Sequence, residues 1–116
     1  IKSRIGKDMV ELTDKLCQEK VKIGVIVQKI EIGEDYMSYV RTILPKLNQI
    51  MTEIFRLMQR SELQIELNID FVVQVLQDIV YGIEQEDKVF LLDVLKYGLE
   101  EIFDYLIEML AGEKNE

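Results

Sequence analysis

Residues 5–33, IGKDMVELTDKLCQEKVKIGVIVQKIEIG, decide how the rest of the chain is read. Ile5, Met9, Leu12 and Leu16 step by four, three and four, and the register continues through Ile23, Ile26 and Ile30. Steps of three and four return a side chain to one side of an α-helix, so the stretch has an apolar face. Beyond it the same register picks up Met37, Val40, Leu44, Leu47, Met51, Ile54 and Met58; Glu19 and Gly33 are the two breaks. Gly33 suits the left-handed C-cap of a first helix, and Glu34 and Asp35 suit the positive end of a second. The spacing predicts helix 1 over about 4–32 and helix 2 over about 34–60. One unbroken helix through both would be about 85 Å long, which fits an extended coiled coil and not a compact domain.

A period of two competes locally. Val21, Ile23, Val25 and Val27 alternate with other residues, and so do Leu63, Ile65, Leu67 and Ile69. Two such strands could pair and make the fold α+β. The helical register claims the first segment, and the capping-box spacing of Ser61 and Gln64 favours helix for the second. Residues 63–69 are expected as an extended connection or a weak helix start. Pro45 removes one backbone donor, which predicts a kink near 41–45 or a fresh helix beginning at Pro45.

Helix 3 is predicted over about 70–83, with Asp70 as N-cap and a stripe of Val72, Leu76, Ile79 and Ile83. Gly82 and the acidic run Glu84–Asp87 mark a turn. Helix 4 follows over about 87–111 with Leu92, Leu95, Leu99, Ile102, Leu106 and Met109 on its face. The fold class is therefore all-α: a single-domain antiparallel bundle of about four helices over residues 1–116. Helix 3 is about half as long as helix 1, so part of the long helices lacks cover. A homodimer, or a bound protein partner, is expected to supply it.

At 116 residues, 48% apolar and 31% charged, the chain can hold a core without metals or disulfides. Cys17 is the lone cysteine, which suits a reducing cytoplasm. No apolar run approaches the ~20 residues that span a bilayer, and no signal-peptide pattern opens the chain. The net charge of −8 divides into +3 for residues 1–60 and −11 for residues 61–116. An acidic chain repels phosphate backbones, so no nucleic-acid partner is expected.

Histidine is absent. That excludes Ser–His and Cys–His nucleophile systems and zinc sites that need imidazole. Neither GxGxxG nor a Walker A sequence occurs. Carboxylates remain: Glu100, Asp104 and Glu108 share one face of helix 4, and Glu31 and Glu34 lie three apart. All-helical nucleotide pyrophosphohydrolases hold Mg²⁺ with ExxE followed by ExxD, and Glu31/Glu34 with Glu101/Asp104 imitate that pattern. The gap between the two pairs is far longer than in that family, and a solvated helix face explains the same acids. Tyr36, Tyr39, Tyr81, Tyr97 and Tyr105 fit either the edge of a core or the rim of an interface.

The segment 86–99, EDKVFLLDVLKYGL, resembles a motif of small uncharacterised helical proteins of Gram-positive anaerobes and their relatives. Theirs is an acidic D-Y-V-L-L-A-D-L-L-E-Y-E-L pattern near the C-terminus. Asp87, Val89, Leu91, Leu92, Asp93, Leu95, Tyr97 and Leu99 fit it; Lys88, Phe90, Lys96 and Gly98 depart. The departures at Lys96 and Gly98 remove two acids. The resemblance implies a bacterial, cytoplasmic, helical protein and no particular chemistry. The sequence as a whole points to a non-enzymatic interaction module with no assigned catalytic residue, metal or cofactor. The alternative is an Mg²⁺- or Mn²⁺-dependent phosphohydrolase using Glu31, Glu34, Glu101 and Asp104.

Overall fold

The computed structural model describes residues 2–60 and 66–114. Four helices form among them and no strand: α1 (Lys2–Ile32), α2 (Met37–Met58), α3 (Ile69–Glu84) and α4 (88–114). The alternating segment 21–27 is helical. Of the segment 63–69, residues 63–65 and the Ser61–Gln64 capping box lie outside the described residues, Glu66–Asn68 are irregular, and α3 begins at Ile69.

The two interhelical turns within the described residues share one construction. Gly33 takes φ +81°, its N–H donates to the Ile30 carbonyl at 3.3 Å, and the Glu34 N–H donates to the Lys29 carbonyl at 2.9 Å. This pair of bonds satisfies carbonyls that a helix end leaves open. Glu34 and Asp35 thus belong to the turn and not to the first turn of α2, which starts at Met37. At the end of α3 the same crossing bonds run from Glu86 to Ile83 (3.2 Å) and from Asp87 to Gly82 (3.0 Å). Here the left-handed residue is Glu86, at φ +50°. Gly82, expected in the turn, lies buried within α3.

The cap of α3 is Asn68, not Asp70: its side chain accepts the Phe71 N–H at 3.1 Å. Asn68 holds extended backbone, which an N-cap requires, whereas Asp70 is already helical. Asp87 caps α4 in the same way, accepting the Phe90 N–H at 3.0 Å. α2 runs uninterrupted through the exposed Pro45, so no fresh helix starts there. The carbonyl that loses its donor belongs to Arg41, on the exposed side.

One core runs the length of the molecule. Leu16, Ile23 and Ile30 of α1, Val40, Leu47 and Ile54 of α2, Val72 and Ile79 of α3, and Leu95, Leu99 and Phe103 of α4 are buried within it. α4 is not uniform: Lys88–Val94 and Glu100–Lys114 are α-helical, and Leu95–Leu99 form a π turn between them. A π turn inserts one extra residue and shifts the downstream face. The buried set is accordingly Leu91, Leu95, Leu99, Ile102, Phe103, Leu106 and Leu110, while Leu92 and Met109 of the expected stripe are half-buried. The first part of α4 packs on α3 and the last part lies along α1.

α3 and α4 approach closely through two glycines. A Cβ on Gly82 would sit 2.7 Å from the Leu91 side chain, and one on Gly98 would sit 3.1 Å from Val75. The two contacts share one antiparallel register, since 82 with 91 and 75 with 98 have the same sum. Tyr81 and Phe90 add an edge-to-face pair with ring centroids 5.5 Å apart. Of the four departures from the resembled motif, this geometry bears on Gly98 and Lys96. Any side chain at 98 would meet Val75, and Lys96 lies 3.7 Å from Glu31, where an acid would be repelled.

Candidate functional site

The four carboxylates of the metal reading lie in separate surroundings. Glu31 faces Lys96 at 3.7 Å, Glu34 pairs with Lys29 at 3.3 Å, and Asp104 pairs with Lys20. Lys20 and Glu31 are eleven residues apart on α1, about 16 Å along its axis. Asp104 is therefore placed about three turns of α1 away from Glu31. Glu101 lines a groove against the start of α3 with Phe71, Ile102 and Tyr105. Among the described residues no three of His, Cys, Asp and Glu lie close enough together to hold a metal ion.

Glu19, the charged break in the apolar stripe, is only 5% exposed. One carboxylate oxygen accepts from the Lys22 ammonium at 3.0 Å and lies 3.8 Å from that of Lys46 on α2. The other oxygen is buried with no hydrogen-bond partner among the described residues. The two lysines crowd each other over this carboxylate, and the Lys22 ammonium pushes Lys46 below its usual lysine value. Across the bundle, the hydrogen bond from Lys20 to Asp104 holds Lys20 above its ordinary value.

Open grooves lie on both flanks of α1. A groove of about 560 Å³ between α1 and α4 is lined by Cys17, Lys20, Val21, Asp104 and Ile107, among others. A second, of about 340 Å³ between α1 and α2, is lined by Val21, Val25, Ile26, Tyr39 and Ile43 among others. Val21 forms the ridge shared by both. A third groove, of about 220 Å³, is mostly charged, with Asp8, Glu11, Lys15, Glu53 and Arg56 on its walls beside Leu12 and Leu57.

The ridge belongs to a longer feature that the sequence reading missed. Val10, Val21, Val25 and Ile32 of α1 are all exposed, Val21 by 69% and Ile32 by 60%. With exposed Asp14, Cys17 and Gln28 they form a strip of seven positions directly opposite the core face. At ~100° per residue the seven fall within about 80° of arc. The signal was present in Val21, Ile23, Val25 and Val27: in a helix, alternation sends Ile23 and Val27 to the core and Val21 and Val25 to the solvent side. A smaller exposed group, Ile69, Val73 and Val80, lies on α3.

Comparison with family models, with curated proteins and with solved structures gives no match to this chain. Among the described residues no helix is long and apolar enough to cross a membrane. The functional reading therefore rests on the bundle's own surface.

Proposed function

We infer that this chain is a non-enzymatic helical interaction module whose bundle is completed by a partner surface, a second copy being the first expected partner. The observation that supports it is the strip of exposed valine and isoleucine along the outer side of α1. A single surface helix ordinarily carries one apolar face and one polar face. α1 carries two apolar strips on opposite sides, and water on the outer one is unfavourable by about 25 cal/mol per Å² of apolar surface. Aligned exposed apolar side chains flanked by open grooves are the usual mark of a protein–protein surface. The lone exposed thiol of Cys17 suits a reducing compartment and hence the cytoplasm. The net charge of −8 disfavours a nucleic-acid partner.

Sedimentation equilibrium or light scattering over a concentration series tests this reading. The expected mass at micromolar concentration is about twice the 13.6 kDa of one chain, falling on dilution. A mass of one chain throughout the series would remove self-association from the proposal.

A further inference from the structure

Resting on that reading, we propose that two copies associate through the outer strip of α1, packed antiparallel about a two-fold axis at Val21. The strip occupies positions 10, 14, 17, 21, 25, 28 and 32, and its steps of four, three, four, four, three and four read the same in both directions. Reversing one helix about residue 21 therefore lays every position of the strip on another of its own. Val10 meets Ile32 of the second copy, Cys17 meets Val25, and Val21 meets Val21. Asp14 meets Gln28, whose amide donates to the carboxylate. A parallel arrangement would instead set Asp14 against Asp14 and leave both acids facing like charge. The strip also recurs every eleven residues, from 10 to 21 to 32. That repeat follows a nearly straight α-helix, so two such helices stay in register without supercoiling tightly.

The outer strip of α1 is also the longer of the two exposed apolar groups. From Val10 to Ile32 the strip is about 33 Å long, against about 16 Å for the group from Ile69 to Val80 on α3. The grooves on either side of Val21 leave room for the flanking side chains of a second α1. The axis also brings Lys22 near its own copy, and the buried carboxylate of Glu19 behind each Lys22 offsets that repulsion.

Cysteine placement tests the arrangement directly. In a Cys17→Ser background, Val21→Cys should form a disulfide-linked dimer under mild oxidation, because residue 21 lies on the axis. In the wild type, the two Cys17 would lie about 12 Å apart along the helix axis, beyond the reach of a disulfide. Val25→Cys with native Cys17 should link the two copies through 17 and 25. Val21→Glu should weaken the dimer at least about tenfold with an unchanged far-ultraviolet spectrum, and Val73→Glu on α3 should leave it intact. A dimer that survives Val21→Glu, dissociates with Val73→Glu, or crosslinks through wild-type Cys17 overturns this face while the interaction reading stands. A wild-type protein that is monomeric at high micromolar concentration overturns this pairing and leaves the interaction reading with a different partner.

Discussion

The two halves of the bundle solve the same packing problem differently. In the α3–α4 hairpin, Gly82 and Gly98 bring the helices together until the side chains of Leu91 and Val75 fill the space a Cβ would need. In the α1–α2 hairpin, among the described residues, Gly24 and Gly33 make no such approach. Glu19 is buried between the helices under Lys22 and Lys46, and open grooves lie along the same seam. The turns invert the pattern: the loosely joined pair has Gly33 at its left-handed position, whereas the tightly joined pair has Glu86. Close packing on one side and a favourable turn on the other distribute stability unevenly across the molecule.

Three substitutions probe that contrast. The largest effect is expected at Gly82→Val, which forces a branched side chain into Leu91 and should cost about 3 kcal/mol in chemical denaturation, with the α3–α4 pair disturbed most. A variant as stable as wild type would mean that the hairpin is not closely packed. Next comes Glu19→Leu, which removes a buried carboxylate with an unpartnered oxygen and continues the apolar stripe. Replacing buried charge by apolar volume should raise stability by about 1–2 kcal/mol; a loss would show that the carboxylate anchors α1 to α2. The smallest is Glu86→Gly, which relieves the left-handed backbone and should raise the stability of the hairpin by about 1 kcal/mol. An unchanged melting temperature would mean that the turn carries no strain.

Much of the fold was legible because it depends on regular spacing. The register from Ile5 to Met58 located two helices and Gly33 located their turn, since period and glycine conformation are local properties. The cap of α3 was displaced by two residues because Asn68 and Asp70 have equivalent chemistry and only backbone conformation separates them. The burial of Gly82 was hidden because a glycine in a turn and a glycine under a neighbouring leucine look alike in one dimension. The shift from Leu92 to Leu91 and from Met109 to Leu110 arose from the π turn, which no periodic template contains. The candidate surface was in plain view as Val21 and Val25, but the helical reading followed only the core stripe through Ile23 and Ile26 and weighed the two valines as a competing strand pattern. A helix with two apolar sides and a strand with one can share the same alternating letters.

The π turn at Leu95–Leu99 has a consequence beyond packing. It acts as a swivel: the polypeptide before it packs chiefly on α3, and the polypeptide after it lies along α1. Removing one residue there would restore an ordinary helix and rotate the C-terminal segment by about 100° relative to its N-terminal part. Single-residue length changes among natural variants should therefore collect at this point, where an insertion has already been absorbed, provided that Gly98 keeps its place against Val75, and be rare at the Gly82–Leu91 contact.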